Sequence, residues 1–383
     1  KTESSTFERV SSLAKDGLGI SCVVLSALPQ DVIVERDGLK AQAFRGSPLR
    51  RIWLTLCVGV REAKRLPGRT MISAQDPFGA GLVGYLISRW TNQPLELQEH
   101  GDFWSGAWVK ERFHHRLLSW VGLMLLRRAE RVRAVSERVK IHLIAKGIDA
   151  RKIDVIPVAQ SLEKLFNRLL PSSRQNDFTF VAPCRFVSQK GLDTLIEAFA
   201  CLYAKQPLVR LRLVGTGPLE AWLRREVQER GWSELVQIRP WTVDTDLWDE
   251  VGALVVSSRY EGFCRTLTEA MARGVPIVTT DVGCVGSYLR PGVDGLVVPI
   301  NDPRALAEAM ERAILDGEGR EQRQRAAQER AHTFLSREEL HENQRKGWRA
   351  GLAQAWKAVL GPRFELWVVA FVVFLLLTRV ASI

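Results

Sequence analysis

The sequence predicts an α/β protein of two Rossmann-like domains that face a cleft, and two observations support this fold class. The chain has 383 residues, which exceeds the about 100 to 200 residues of one ordinary domain. In both halves, short apolar runs rich in β-branched residues alternate with segments of helix length. Such alternation favours right-handed βαβ units, parallel sheets covered by helices, and ligand sites beyond the carboxyl ends of the strands.

The first half opens with a predicted helix through Thr6 to Leu13, and the apolar run Ile20 to Leu25 then suits a buried parallel strand. A predicted helix begins at Pro77 and continues to Trp90. Further strands are predicted at 71–73, 95–98, 131–135 and 153–157.

The second half repeats this alternation. Predicted strands lie at 178–183, 209–214, 235–239, 253–257, 276–280 and 295–299, and predicted helices at 192–204, 219–229, 267–273 and from Pro303 onward. The polar, strand-poor stretch Asn167–Asp177 separates the two halves. The predicted organisation is a first Rossmann-like domain over 1–165, a linker over 166–177, a second Rossmann-like domain over 178–333, a basic helix over 334–363 and a hydrophobic tail over 364–383.

The formal charge of +11 indicates an anionic partner, either nucleic acid, anionic lipid or an anionic small molecule. Nucleic acid is disfavoured because the chain shows no recognised binding module and no aromatic residues interleaved with its basic ones. The six cysteines form no CxxC pair and no cluster with histidine. We therefore expect no metal, no disulfide framework and a reducing, cytoplasmic setting.

The densest cluster of polar residues is 257–271, where a predicted strand ends, turns and enters a helix. Backbone N–H groups at such a junction point at anions. Glu261 lies at the turn and Glu269 about two turns into the helix, so the two carboxylates can face different parts of one ligand. The alternative is a pair of ordinary solvated glutamates, which the adjacent apolar strand and Gly262-Phe263 make less favoured.

A second strand-to-helix junction carries Arg185, Lys190 and Gly191. A planar guanidinium and a mobile ammonium suit a diphosphate, and each charge-assisted bond contributes about 1.5 to 3 kcal/mol. The alternative is two surface cations on a loop. The turn with Gly215 and Gly217 is a weaker signal, because it only lets a backbone approach a ligand.

Taken together, these motifs resemble the C-terminal domain of glycosyltransferase family 4, retaining enzymes of the GT-B fold that use nucleotide sugars. The resemblance runs over about 178–315, in the family's order and with seven residues between Glu261 and Glu269. Segments 276–283 and 292–299 extend it. It implies a nucleotide-sugar donor, such as a UDP- or GDP-sugar, bound in the domain 178–333, with the domain 1–165 on the acceptor side and with no cofactor or metal.

The resemblance also implies roles for single residues. Arg185 and Lys190 would neutralise the donor diphosphate, Glu261 would contact sugar hydroxyls, and Glu269 would contact the ribose. The remaining predicted donor-binding residues are Gly215, Gly217, Phe263, Cys264 and Arg265, the last three through backbone amides.

The first half resembles the family more loosely, through Glu8-Arg9-Val10 and Gln98-Glu99-His100-Gly101-Asp102. His100 is thereby implied to lie in the cleft as a catalytic residue, and the alternative is a capping or core histidine. The other histidines are predicted to be solvated helix residues, namely His114, His115, His142, His332 and His341.

The chain departs from the family pattern at three places. Ser5-Thr6 stands for a glycine pair, Cys264 for a glycine and Ser287 for a glutamate. The strand that precedes the first loop in the family is absent or lies upstream of Lys1. These departures keep alternatives open: a catalytically inactive GT-B membrane scaffold, or a GT-B sugar epimerase or phosphorylase.

Two segments indicate a membrane. Leu366–Leu377 is an unbroken apolar run of twelve residues, shorter than the about 20 of a spanning helix, and 343–364 is basic and free of acids. We therefore expect a C-terminal hydrophobic membrane segment, localisation at the cytoplasmic face of the cell membrane, an anionic lipid partner, and a lipid-linked or cell-envelope glycan acceptor. The basic, apolar stretch 108–133 is a second candidate, for which packing within the first domain is favoured.

Overall fold

The structure is a computed structural model, and it describes residues 20–24, 31–36, 39–65, 70–111, 113–158, 162–166, 178–241, 247–248, 250–334 and 337–355. Its strands are β1 (Ile20–Val24), β2 (Val32–Arg36), β3 (Leu39–Ala43), β4 (Ile72–Ala74), β5 (Leu95–Glu99), β6 (Arg131–Ala134), β7 (Ile153–Val155), β8 (Thr179–Pro183), β9 (Arg210–Val214), β10 (Val236–Arg239), β11 (Ala253–Val256), β12 (Ile277–Thr280) and β13 (Leu296–Val298). Its helices are α1 (Pro48–Arg65), α2 (Gly79–Thr91), α3 (Gly106–Glu111), α4 (Phe113–Arg128), α5 (Glu137–Ala145), α6 (Glu163–Phe166), α7 (Leu192–Tyr203), α8 (Glu220–Glu229), α9 (Arg265–Arg273), α10 (Pro303–Leu315), α11 (Gly317–Ala331) and α12 (Arg337–Ala355).

The first half contains a parallel sheet of order β4-β5-β6-β7 and a smaller sheet of order β1-β3-β2. Every side chain of β5 is buried, because helices cover both faces of a parallel sheet. The predicted strands of this half are confirmed within a residue or two. β1 pairs in parallel with β3, as expected for a parallel strand, but β2 pairs antiparallel with β3, a hairpin that the sequence analysis missed.

The second half is one parallel sheet of six strands, in the order β10-β9-β8-β11-β12-β13. The order reverses between β8 and β11, and crevices at such a switch point are where open α/β sheets bind ligands. A core that includes Phe178, Phe180 and Phe199 lies between this sheet and its helices. The two Rossmann-like domains are therefore present, and the linker 167–177 lies outside the described residues.

The last described helix, α12, returns to the first half. The Gln344 amide and the Trp348 indole N–H donate to the two carboxylate oxygens of Glu96, at 2.7 and 2.9 Å. Glu96 is buried on β5 and also accepts from Ser73. Since a buried carboxylate requires such donors, these contacts hold α12 against the first domain.

The fold prediction is wrong in its C-terminal membrane segment. Among the residues that the structure describes, no helix is both long and apolar enough to cross a bilayer. The last of them, α12, is polar, with Gln344 and Trp348 turned to Glu96. The hydrophobic tail 364–383 and the end of the basic helix 334–363 lie outside the described residues.

Candidate functional site

A cleft lies at the switch point of the six-stranded sheet. It measures about 300 Å³, counting space open to solvent. The end of β8, the loop before α7, the end of β11 and the turn into α9 line it. The cleft therefore lies beyond the carboxyl ends of two adjacent strands, where the sequence predicted the site.

Lys190 and Glu261 form an ion pair inside this cleft, between Nζ and Oε1. Ser258 donates its hydroxyl to the same carboxylate oxygen at 2.7 Å. Glu261 is only 8% exposed, which rules out the solvated alternative. Burial acts to lower the pKa of Lys190, but the Glu261 carboxylate outweighs it and the pKa lies above its ordinary value. Lys190 is therefore a fixed cation at the cleft.

Hydrogen bonds from three sides hold the turn that carries Glu261. Thr280 donates its hydroxyl to the Ser258 carbonyl at 2.7 Å, and Gln189 donates its amide to the Tyr260 carbonyl at 2.9 Å. The Tyr260 hydroxyl donates to Glu111 of the first domain at 2.6 Å. The sequence indicated no role for Ser258, Gln189 or Glu111. The one feature that could have indicated Ser258 is the pair Ser257-Ser258 directly after β11, at the sheet edge where the site was predicted.

Helix α9 begins at the cleft, since Cys264 and Thr266 both line it. The N–H groups of a first helical turn favour anions. Cys264 has φ of 66°, the left-handed backbone that favours glycine. Burial and the Glu261 carboxylate raise the pKa of the Cys264 thiol well above its ordinary value, so it stays protonated. Phe263 is buried, with its ring 5.1 Å from that of Tyr288.

The predicted glycine turn packs closely against the loop after β8. A Cβ added at Gly215 would lie 1.8 Å from the carbonyl oxygen of Cys184, and one at Gly217 would lie 2.5 Å from that of Phe186. Phe186 also donates its backbone N–H to the Thr216 carbonyl at 2.9 Å. The two glycines therefore let the loops after β8 and β9 pack together, and their role in donor binding stays a prediction.

Three predicted site residues lie apart from the ion pair. Arg185 is exposed on the loop after β8 and is not part of the cleft lining. Glu269 pairs with Arg265 one turn earlier on α9, at 3.2 Å. Burial raises the pKa of Glu269, partly offset by Arg265. The structure thus brings Lys190, Glu261 and Cys264 together, and the roles of Arg185, Arg265 and Glu269 stay predictions.

The first domain touches the site through its backbone at His100. A Cβ added at Gly262 would lie 2.0 Å from the His100 carbonyl oxygen, and Ser136 donates its hydroxyl to the Gly262 carbonyl at 2.7 Å. The His100 ring is exposed, with Nε2 3.0 Å from Gln98 Oε1. His100 therefore lies at the boundary between the domains, beside the turn of Glu261, and its catalytic role stays a prediction.

Two other histidines differ from the prediction of solvated side chains. His142 Nδ1 lies 2.7 Å from Oδ1 of Asp102, which is buried, and His341 on α12 is 7% exposed. The contact between His142 and Asp102 joins residues 40 positions apart in the chain. The periodicity of a single helix therefore does not predict this contact or the burial of His341.

A buried carboxyl group precedes His100. Glu99 is fully buried, and it accepts from the Trp104 indole N–H at 3.0 Å and from the Gly101 N–H at 3.3 Å. Burial raises the pKa of Glu99 well above its ordinary value of 4.5. The folded protein therefore holds this proton at pH values where the unfolded chain has already lost it.

This proton makes stability depend on pH. As the pH rises from about 4.5 towards the folded pKa of Glu99, the folded protein loses up to about 1.4 kcal/mol per pH unit, because only the unfolded chain is deprotonated. Gln does not titrate, so we expect the stability advantage of Glu99→Gln, measured by urea denaturation, to grow as the pH rises from about 4.5 towards the folded pKa of Glu99. A difference between the two proteins that does not change with pH would show that Glu99 is ionised in the fold.

The described residues contain no group of three or more His, Cys, Asp or Glu side chains placed to hold a metal ion. Cys57, Cys184, Cys201, Cys264 and Cys284 are free thiols. Burial raises the pKa of Cys184 and of Cys284 to about 12. The charged groups at the cleft are thus an ammonium and a carboxylate, which suit an anion and hydroxyl groups.

The fold and the cleft define a two-domain α/β protein of the GT-B type, and comparison with known families agrees. Residues 163–330 match the model for glycosyl transferases group 1, and residues 9–159 match the model for the glycosyl transferase 4-like domain. The chain belongs to this glycosyltransferase family, as the resemblance indicated. The predicted enzyme class, a glycosyltransferase of the GT-B type, is confirmed at the level of the family.

Curated relatives match over part of their length. The chain is 37% identical over 149 residues to an exopolysaccharide phosphotransferase of Streptomyces coelicolor, 38% of this chain and 16% of the relative. It is 35% identical over 133 residues to the lipopolysaccharide core biosynthesis glycosyltransferase LpsE of Rhizobium meliloti, 34% of this chain and 38% of the relative. Both matches therefore span less than half of the relative.

The similarity to solved structures is longer. The Anabaena protein HepE, solved in complex with UDP-glucose, superposes with a TM-score of 0.68 over 81% of this chain and 86% of its own, at 21% identity. At this identity the similarity establishes a shared fold.

Proposed function

We propose that this protein transfers a sugar from a nucleoside diphosphate sugar to an acceptor hydroxyl, with retention of configuration. The observation that carries the proposal is the Lys190–Glu261 ion pair at the switch-point cleft, beside the start of α9. Family membership supports it. HepE binds UDP-glucose, which favours a uridine nucleotide as the donor.

In this reaction the bond between the anomeric carbon and the β-phosphate oxygen breaks, and the acceptor oxygen bonds to that carbon. The proton of the acceptor hydroxyl passes to the departing phosphate. Lys190 and the N–H groups at the start of α9 stabilise the negative charge that develops on the diphosphate. Glu261, held by Ser258, accepts hydrogen bonds from sugar hydroxyls. Because Lys190 and Glu261 are already held in place by their hydrogen bonds, they need little reorganisation as the transition state forms.

For the acceptor, we propose a lipid-linked or cell-envelope glycan at the cytoplasmic face of the membrane, with anionic lipid as a partner. The relative LpsE is named for lipopolysaccharide core biosynthesis, which supports an envelope glycan. The net charge of +11 supports an anionic surface.

The test is calorimetry with UDP, GDP and ADP, followed by a screen of the sugars of the nucleotide that binds. We expect one nucleotide to bind through the cleft, and its sugar to be hydrolysed slowly and transferred when acceptor is added. Glu261→Gln should retain nucleotide binding and lose sugar turnover, because the nucleotide does not depend on the sugar contact. The Gln variant of Glu62, a buried glutamate on α1 of the first domain, is the matched control. If no nucleotide binds, the protein is a scaffold and the proposal fails.

A further inference from the structure

Helix α4 exposes a row of large apolar side chains. Phe113 is 84% exposed, Trp120 54% and Leu117 44%. Their spacing of four and three residues places them on one face of the helix. Elsewhere on its surface, α4 packs Val121, Leu125 and Leu126 into the domain core. The exposed row is therefore additional to the packing that fixes α4 in the first domain.

Positive charge surrounds this row. The stretch 112–129 contains four arginines and no aspartate or glutamate. Arg116 lies on the exposed face and Lys110 precedes the helix, and neither pairs with an acid among the residues that the structure describes. Apolar side chains interleaved with cations complement an interface of acyl chains and anionic headgroups.

The row begins beside the candidate site. Glu111, two residues before Phe113, accepts the hydrogen bond from Tyr260, the neighbour of Glu261. The Trp108 ring stacks on His115 of α4 at 4.2 Å, which holds α3 and α4 together. A surface in contact with the row would thus lie next to the cleft between the domains.

We propose that α4 docks on an anionic lipid surface, with Phe113, Leu117 and Trp120 in the interfacial layer and with Arg116 and Lys110 against headgroup phosphates. This proposal rests on the proposed lipid partner and assigns its contact to the exposed face of α4. A second copy of the chain fits less well, because two cationic faces repel each other. Docking there brings the domain boundary at Glu111 and Tyr260 close to lipid-linked acceptors.

The experiment is co-sedimentation of the full chain with phosphatidylcholine vesicles, with and without phosphatidylglycerol. We expect binding that requires phosphatidylglycerol and weakens with salt. Trp120→Ala and Phe113→Ala should each lower the partition coefficient about tenfold, and Arg116→Glu should remove most of the dependence on phosphatidylglycerol. Trp241→Ala is the matched control, because Trp241 is 58% exposed and lies in the other domain.

Calorimetry with UDP, performed on each variant without vesicles, keeps the docking separate from the proposed function. Unchanged UDP binding with lost vesicle binding supports the docking surface. Equal vesicle binding by wild type and Trp120→Ala would overturn it, as would an equal loss in Trp241→Ala. A dimer in sedimentation velocity that Trp120→Ala dissociates, without vesicle binding, would make the face a self-interface and also overturn the proposal.

Discussion

Replacement of Lys190 by Ala is expected to lower sugar transfer by about 10² to 10³, because it removes the cation that faces the departing diphosphate. The same change leaves the buried Glu261 carboxylate without its ion pair. Breaking such a pair costs about 3 kcal/mol, at the lower end of its range because the Lys190 side chain keeps 18% exposure. Initial rates of transfer and urea denaturation measure the two effects.

A double variant separates catalysis from folding. In Lys190→Ala with Glu261→Gln the buried charge is gone together with its partner, so we expect most of the lost stability to return while transfer stays abolished. Lys205→Ala, which removes a surface partner of Glu311 in the same domain, should change neither quantity much. Transfer that recovers together with stability in the double variant would contradict a direct role for Lys190.

The sequence predicted the second domain and its site well, for a physical reason. The strands there are continuous apolar runs, since a parallel sheet buries both faces, and the residues that follow them gather at one sheet edge. Lys190 and Glu261 were thus predicted to lie near each other although 71 positions separate them. The hydrogen bonds of Ser258 to Glu261 and of Gln189 to the Tyr260 carbonyl were not predicted, because serine and glutamine are common polar residues and these two belong to no spaced motif.

The first domain was harder to predict. The strands β2 and β3 flank Asp37-Gly38, a dipeptide that favours tight hairpin turns. This hairpin was not predicted, because the alternation of strands and helices dominates the pattern of the sequence. The tail Leu366–Leu377 shows the opposite error. Its apolar run, next to a basic stretch free of acids, was interpreted as a membrane segment, whereas no described helix is long and apolar enough to cross a bilayer. The last described helix, α12, is polar and is held by Glu96 on a buried strand of the first domain.

Gly262→Ala is the second large effect, and it acts on the domain boundary. The added Cβ would lie 2.0 Å from the His100 carbonyl oxygen and 3.1 Å from the Cα of Gly101. Because backbone atoms cannot yield as a flexible side chain does, the two domains must move apart. A displacement of about 1 Å can lower the rate about a hundredfold, so we expect transfer to fall by that factor while UDP binding in calorimetry changes little.

The two readouts together locate the effect of this one methyl group. Gly79→Ala is the matched control, because a Cβ at that helical position meets no atom within 4 Å, and it should leave transfer unchanged. If Gly262→Ala weakens UDP binding as strongly as it slows transfer, the methyl group disturbs the turn of Glu261 itself. The loss of transfer would then not result from a changed contact between the domains. If transfer is unchanged, the His100 boundary is not part of the reacting geometry, and the role of the first domain has to be sought elsewhere along the cleft.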